Sequence, residues 1–474
     1  MADKVIVSRD KLVDIADRIR NQGFTEAQMT LDEMGQEVSK IPIVDLVERS
    51  IQQFNNNRVS TVGSHAFYGC GNLEDVNVPE ATDIADSAFY GCTSLKSVNA
   101  PKAQSVGDNA FNRSGAESHV LMVSAPNIET LGATTFTGSG LVEANFPKVV
   151  DVPADTFSGC ADLRTAEFPL ATAIGDSAFN GAGAESHALT VNAPNVETLG
   201  ATVFEGSGLT EANFPKPTNI PENTFSGCVD LRTADISGAT IVGGGAFRNC
   251  EKLSRVDLSS VTDIQAYAFQ SAGSQVESLT LSDMPNIRWI EEGAFSNSGL
   301  TEIYLSSQDY TALGDRAFSH CVKLKYVEVV GTNNNSIRLP YGVFEQCTQL
   351  ETVKCRYSNS FGEHAFYKCE KLEKIDLGYK HSTVYEGAFT DCHRLKTMIF
   401  RGQNPERITI DITKALSGCY FMLKEQNSEY NPDGEIGYFY VPRDLLDAYK
   451  ASIAFKNHVD QIRVIEDYPE ICNF

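Results

Sequence analysis

Phenylalanine recurs along the chain at a nearly constant interval, and the apolar residues around it recur with it. Fifteen phenylalanines are separated by 21 to 26 residues, and Leu416 has the place of a sixteenth copy. They are Phe67, Phe89, Phe111, Phe136, Phe157, Phe179, Phe204, Phe225, Phe247, Phe269, Phe295, Phe318, Phe344, Phe366 and Phe389. An apolar residue lies five positions before each one, as at Val62 and Ile84. A period of this length predicts a linear stack of similar turns.

Each interval also contains a segment in which apolar and polar residues alternate. The full unit is I-x-x-x-A-F-x-x-C-x-x-L-x-x-V-x-L-P, and its last part is represented by Val76 and Val78 before Pro79. Alternation with period two predicts a short strand. One such strand cannot bury its apolar face alone, so we expect the strands of successive turns to pair in parallel. The sequence therefore predicts a parallel β-solenoid with one strand per turn and about 16 turns.

A longer period overlies the first. The segment SVGDNAFNRSGAESH at 105–119 returns as AIGDSAFNGAGAESH at 173–187, 68 residues later. Three turns have been copied as a block. Such copying is tolerated when each turn contacts its neighbours and little else.

The unit I-x-x-x-A-F-x-x-C-x-x-L resembles the BspA-type leucine-rich repeat over roughly residues 57–420. The resemblance implies a leucine-rich-repeat solenoid. It also implies a surface adhesin or recognition protein of bacteria, some protists or phages, a class that is not enzymatic. The sequence departs from the unit at 138–141 and 206–209 (GSGL) and at 297–300 (NSGL), where serine replaces cysteine and the leucine arrives one residue early.

The two ends differ from the repeat and predict separate modules. Residues 1–45 show two amphipathic helices, one after Ser8 and one opened by the capping box Thr30-x-x-Glu33. This helical N-terminal module resembles a segment of tail-associated proteins of phages and prophages. Residues 421–474 predict an α/β C-terminal cap, with a strand ending at Val441 and a helix begun by Pro442. The solenoid is expected over 46–420.

Charge and hydropathy exclude some partners. The chain has 39 basic and 62 acidic residues, a formal net charge of −23, which repels phosphate backbones and anionic lipids. We therefore expect no nucleic-acid partner. No stretch approaches the roughly 18 apolar residues of a membrane span, and no basic-then-apolar leader is visible at the N-terminus, so membrane insertion is not expected. An extracellular or virion-associated protein would then have lost its leader or leave by another route, such as host lysis.

Cysteines occupy one repeat position and indicate packing. Ten of the twelve lie three residues after the anchor, and six other copies have Ser or Ala there. A position that accepts alanine needs a small side chain, and ligands one turn apart would lie in a line, unlike a tetrahedral metal site. The predicted structural ladder comprises Phe67, Phe89, Phe111, Phe157, Phe179, Phe225 and Phe247 with Cys70, Cys92, Cys160, Cys228 and Cys250. No catalytic motif, metal site or cofactor site is predicted.

Tyrosine is distributed unevenly and supplies the candidate binding residues. Fifteen of seventeen tyrosines lie at or beyond Tyr267, and insertions at 331–340 and 401–410 fall in the same half. Tyrosine is enriched in recognition surfaces, and solenoid insertions often emerge on a binding face; drift between repeat lineages is the alternative. The candidate partner-binding residues are Tyr304, Tyr326, Tyr341, Arg356, Tyr357, Tyr379 and Tyr385.

A polar ladder is a second surface pattern. The residue before the last apolar strand position is polar in successive turns: Asn77, Asn99, Asn145, Glu167, Asn192, Asn213, Asp235 and Asp257. A solvated strand face explains this pattern more simply than a groove for saccharides or cations.

Together these patterns favour a non-enzymatic recognition or attachment protein whose partner is a cell-surface protein or glycan. The first hypothesis is a phage or prophage tail protein that binds the host receptor, with possible homo-oligomers formed through the N-terminal module. The alternative is a secreted or cell-surface bacterial adhesin that binds host matrix or other cells.

Overall fold

The computed structural model describes residues 51–185, 188–281, 284–306, 312–330, 337–355, 358–379, 383–402, 405, 408–427 and 429–472. The predicted helical module at 1–45 lies outside the described residues. The chain divides into two compact units, Met1–Asn195 and Val196–Phe474, here called the N-terminal and C-terminal units. Both are built from one kind of coil.

Each coil of the N-terminal unit carries two short strands, which we call the A strand and the B strand. The A strands are Gln53–Asn55, Asp75–Asn77, Ser97–Asn99 and Met122–Ser124 in one sheet, and Glu143–Asn145, Thr165–Glu167 and Thr190–Asn192 in another. The B strands are Thr61–Val62, Asp83–Ile84, Ser105–Val106 and Thr130–Leu131 in one sheet, with Asp151–Val152 paired to Ala173–Ile174. Every pairing is parallel and joins the same coil position in successive turns.

The C-terminal unit repeats this arrangement, and its A strands are longer from Glu302–Ser306 to Thr352–Cys355. Its A strands are Glu211–Asn213, Thr233–Asp235, Arg255–Val256 and Thr280–Leu281, then Glu302–Ser306, Tyr326–Val330, Thr352–Cys355, Lys374–Asp376 and Thr397–Ile399, which continue into Tyr438–Val441 and Ile462–Val464. Its B strands are Thr198–Leu199, Asn219–Ile220, Ile241–Val242, Asp263–Ile264, Trp289–Ile290, Ala312–Leu313, Ile337–Leu339, Ser358–Phe361, Thr383–Val384 and Thr409–Ile410. The last seven A strands form one sheet.

Each unit is thus a parallel β-solenoid, and the described residues contain about 17 turns in all, close to the predicted number. The B strand was not predicted from the sequence. It is mostly two residues long, one outward and one inward as in Asp83 and Ile84, and two residues are too few to show alternation. The apolar residue five positions before each phenylalanine is its inward residue.

The third side of each coil is a tight turn around the phenylalanine. Residues two before and two after the anchor have positive φ, as at His65 (59°) and Gly69 (70°) around Phe67. This left-handed backbone favours glycine, which explains the frequent glycine two residues after the anchor. The turns still pair with the next coil, since Phe67 N donates to Ala88 O at 2.7 Å and Gly69 N to Tyr90 O at 2.8 Å. Backbone groups are therefore satisfied between coils on all three sides.

The anchor phenylalanines form a stacked column inside each unit. Phe67 and Phe89 have ring centroids 5.2 Å apart with planes 2° apart, and Phe247 and Phe269 are 5.0 Å and 4° apart. Both pairs are buried. Ring pairs at this distance contribute roughly 0.5–1.5 kcal/mol beyond the area that they bury. The interior of each coil is thus closed by hydrocarbon.

The cysteine position lies beside this column and is also buried. The thiol of Cys92 donates to Phe67 O at 3.0 Å, and that of Cys160 donates to Phe136 O at 3.0 Å. Desolvation by burial raises the pKa of Cys160 to about 12. These thiols are therefore neutral donors at physiological pH. A nucleophilic or metal-binding cysteine would have to be a thiolate instead.

The α-helices among the described residues lie in the C-terminal segment, after the last B strand. Helix Ile412–Ala415 begins at the N-cap Asp411, whose carboxylate accepts from Lys414 N. Beyond it the elements are the 3₁₀ helix Arg443–Leu445, helix Leu446–Ala451, the 3₁₀ helices Val459–Gln461 and Ile465–Asp467, and helix Pro469–Cys472. The assignment of 421–474 as a cap stays a prediction.

Candidate recognition surface

The structure describes five of the seven candidate binding residues and distributes them over different sides of the coil. Tyr304 and Tyr326 lie in neighbouring A strands, whereas Tyr341 lies two residues after the B strand Ile337–Leu339 and Tyr385 directly follows the B strand Thr383–Val384. Tyr379 lies between the A strand Lys374–Asp376 and the next B strand. Arg356 and Tyr357 lie outside the described residues. The candidates therefore do not form one continuous site.

Tyr304 and Tyr326 do come together on the outer face of the seven-stranded A sheet. Their ring centroids are 5.5 Å apart, and Tyr304 is 49% exposed while Tyr326 is half-buried. Their flanking inward neighbours, Ile303 and Val327, are buried and pair in register, which directs both tyrosines outward. These two candidates are therefore in direct ring contact.

Charged side chains fix the orientation of both rings. Tyr304 Oη donates to Glu302 Oε2 at 3.2 Å, and Tyr326 Oη donates to Glu328 Oε2 at 2.6 Å. Lys354 Nζ lies 5.4 Å from the centroid of the Tyr326 ring and 4.0 Å from Glu328 Oε2. We call these five residues the tyrosine cluster.

The electrostatics of the tyrosine cluster keep the Tyr304 hydroxyl protonated. Desolvation and the hydrogen bond to Glu302 raise the pKa of Tyr304 above its ordinary value. Tyr304 is therefore a neutral donor at any physiological pH. The cluster offers aromatic area, two carboxylates and one ammonium group, which suits contact with a polar surface.

Tyr341 belongs to a different assembly, on the turn side of the coil. It is half-buried, the Arg316 guanidinium lies 4.8 Å above its ring, and His364 stacks on it at 5.5 Å. Arg316 Nε also lies 3.3 Å from Glu345 Oε2. Tyr341 is thus engaged by its own neighbours over both faces.

Tyr379 and Tyr385 are both exposed at the surface. Each lies after a different strand, Tyr379 after Lys374–Asp376 and Tyr385 after Thr383–Val384. Surface exposure is the property that supports these two tyrosines as candidates.

The polar ladder is hydrogen-bonded within itself. Asn77 Nδ2 donates to Asn55 Oδ1 and Asn99 Nδ2 to Asn77 Oδ1, both at 2.8 Å, and Asn192 Nδ2 donates to Glu167 Oε2 at 2.6 Å. These amides therefore stabilise the stacking of turns. This bonding accords with the simpler explanation of the ladder, a solvated strand face.

Sequence reasoning missed the partners of the two tyrosines. Glu302 and Glu328 each lie two residues from their tyrosine on the same face of one strand. Lys354 lies 28 residues after Tyr326 and reaches its ring through the register of the neighbouring strands. The signal was present in the repeat itself, because residues at equal or neighbouring coil positions of successive turns become spatial neighbours.

Two further properties concern the described part of the chain. There, no helix combines the length and apolar character needed to cross a bilayer. Nor do three or more His, Cys, Asp or Glu side chains meet there in a group that could hold a metal ion.

Solved structures with a similar chain course are leucine-rich repeat proteins. A leucine-rich repeat protein from Bacteroides ovatus is 18% identical, with 81% of this chain and 88% of that chain covered and a TM-score of 0.45. A leucine rich cell surface protein from Faecalibacterium prausnitzii is 21% identical, with coverage of 78% and 91% and a TM-score of 0.35. The pneumococcal vaccine antigen PcpA is 14% identical, with coverage of 88% and 89% and a TM-score of 0.30.

The sequence itself matches a repeat family. No curated protein sequence matches the chain. The family model described as the BspA type leucine rich repeat region (6 copies) matches residues 60–185, 152–274, 263–396 and 329–415, which together cover more than half of the chain. These segments contain the anchor phenylalanines and the buried cysteine position described above. The chain therefore belongs to the BspA-type leucine-rich repeat family.

Proposed function

We propose that the protein is a non-enzymatic recognition protein that holds a cell-surface protein or glycan against the tyrosine cluster. The observation that carries this proposal is the contact between Tyr304 and Tyr326 on the outer face of the A sheet. Tyrosine supplies large contact area and a hydrogen bond with only two side-chain torsions to order. The hydrogen bonds to Glu302 and Glu328 order the rings before binding, which lowers the entropic cost of association.

The test is binding of the full chain to intact candidate cells. Replacing both tyrosines by alanine (Tyr304→Ala, Tyr326→Ala) should reduce cell-bound protein at least tenfold, the scale expected for aromatic anchors of an interface. The matched control is Tyr68→Ala, Tyr90→Ala, since these two rings also stack at the surface, 4.9 Å apart, but on the turn side of the N-terminal unit. Equal retention of both variants would contradict the proposed contact site.

The proposal assigns no chemical step to the protein. Glycans from the same cells should be recovered unchanged in size after prolonged incubation with the protein, as judged by chromatography. Turnover of a glycan would contradict the non-enzymatic assignment.

We propose that the protein is part of a phage or prophage tail. The resemblance of residues 1–45 to tail-associated proteins supports this assignment. The same module would then mediate self-association. A secreted or cell-surface bacterial adhesin is the second candidate, which family membership favours. Antibody labelling of particles from an induced culture should decorate one end of the virion, whereas labelling confined to the bacterial surface would support the adhesin.

A further inference from the structure

The single tryptophan of the chain lies at the surface, on the B side of the C-terminal unit. Trp289 is 52% exposed, while the next residue of its strand, Ile290, is buried. The indole therefore points outward from a regular sheet, where most B strands carry a small or polar residue. Tryptophan is enriched among the anchors of protein interfaces, which makes this exposed indole a candidate contact.

The neighbours of Trp289 differ on its two sides. In the register of the B sheet, Trp289 pairs with Asp263 of the preceding turn and with Ala312 of the following turn. Parallel neighbours lie about 4.8 Å apart, so Asp263 and Trp289 are adjacent outward positions of the same sheet. Ala312 has a short side chain, so it covers little of the other side of the indole.

Two carboxylates near the indole are held in position by hydrogen bonds. Asp263 Oδ2 accepts from Thr262 Oγ1 at 2.5 Å, and Glu291 Oε2 accepts from Ala266 N at 3.0 Å. Their other oxygens, Asp263 Oδ1 and Glu291 Oε1, accept no hydrogen bond within the described residues. Each carboxylate thus has an oriented acceptor to offer.

The charge of this surface selects the occupant. Against these two carboxylates the adjacent strand position contributes one exposed cation, Arg288, and the whole chain has a net charge of −23. A cation is attracted both to the face of an indole and to the flanking carboxylates, and tryptophan is the best aromatic acceptor for it. Planar guanidinium can stack on the ring while it donates to a carboxylate.

We propose that Trp289, Asp263 and Glu291 form a second docking site, which takes an arginine or lysine side chain of a partner protein. The site lies among the B strands and is separate from the tyrosine cluster of the A sheet. The two can be tested independently, and loss of one leaves the other intact.

The single tryptophan makes the test direct, because intrinsic indole fluorescence reports this site alone. Titration of the full chain with an acetylated and amidated tetra-arginine peptide should change the emission of Trp289 saturably. The change should weaken as salt is raised, because screening reduces attraction between exposed charges. An amidated tetraglycine peptide should have no effect.

Variants separate this site from general attraction to an acidic protein. By calorimetry, Trp289→Ala should bind the tetra-arginine peptide about tenfold more weakly, and Asp263→Asn several-fold more weakly. Asp151→Asn is the matched control, since Asp151 has the same coil position in a B strand of the N-terminal unit and should leave the affinity unchanged. Circular dichroism should show the same fold in all three variants.

Two outcomes would overturn the proposal. One is unchanged affinity of Trp289→Ala for the peptide, which would place peptide binding elsewhere on the acidic surface. The other is an emission change with a neutral tetrasaccharide such as maltotetraose but none with the peptide, which would make the indole a sugar platform.

Discussion

At the residue scale, the cysteine position of the repeat has a role that its size alone does not explain. The Cys250 thiol donates to Phe225 O at 3.1 Å, and where the repeat has serine, Ser114 Oγ donates to Phe89 O at 2.6 Å. The acceptor is the carbonyl of the anchor phenylalanine one turn earlier, inside a buried turn. Serine at position 114 therefore makes the same bond as cysteine, and alanine copies such as Ala182 lack the donor. The other serine copies, Ser139, Ser207 and Ser298, contact the thiol of the following turn.

This account predicts an order of stability at Ser114. Phe89 O also accepts from Cys92 N, so Ser114→Ala removes one of two hydrogen bonds and should lower the free energy of unfolding by about 1 kcal/mol. Ser114→Cys restores the donor found in other turns and should stay within about 0.5 kcal/mol of the unchanged protein. Urea unfolding measures both. Equal destabilisation by the two substitutions would show that the bond contributes nothing.

At the scale of the element, the variant turns with GSGL and NSGL need the glycine that precedes their leucine. An ideal Cβ on Gly140 would lie 2.1 Å from Gly115 O, and one on Gly299 would lie 2.0 Å from Gly273 O. Because the leucine arrives one residue early in these turns, the chain is drawn against the backbone of the preceding coil. These turns are thus one residue shorter than the repeat unit, and glycine provides the space that the shorter turn requires.

Alanine substitution distinguishes this requirement from a general preference for glycine. Gly140→Ala forces a methyl group into a backbone carbonyl and should destabilise the N-terminal unit by roughly 1–3 kcal/mol. Gly63→Ala is the control, since an ideal Cβ there meets nothing within 4 Å and the φ angle is not positive. It should be neutral or slightly stabilising. The urea midpoints of the two variants give the comparison, and a neutral Gly140→Ala would show that the coils can separate without loss.

At the scale of the whole molecule, the parallel coil was predictable because fifteen copies report the same environment. The inward positions held by Val62 and Phe67 are repeated in every turn. The pattern of buried positions is therefore visible even where a single turn departs from it. The surface was less predictable. Tyr304 and Tyr341 look alike in the sequence, yet one lies on an open sheet and the other under a guanidinium group. Their neighbours come from other turns, and insertions between strands change which residues align.

The same independence of turns predicts that a whole block can be removed. Deleting residues 105–172 joins Gln104 to Ala173, which has the coil position of Ser105 in its own B strand. Every remaining turn of the N-terminal unit then keeps an in-register neighbour of the same kind. The shortened chain should retain its circular dichroism per residue and its cooperative urea unfolding. Binding to cells through the tyrosine cluster should also be retained.

The control deletion removes residues 105–160 and joins Gln104 to Ala161, which belongs to the turn after an anchor phenylalanine and precedes an A strand. A B strand is then replaced by a different part of the coil, and the phenylalanine column is interrupted. This variant should lose cooperative unfolding in the N-terminal unit, although more residues remain. If both deletions were equally tolerated, the stack would not depend on register, and the in-register pairing of strands would not be what holds the turns together.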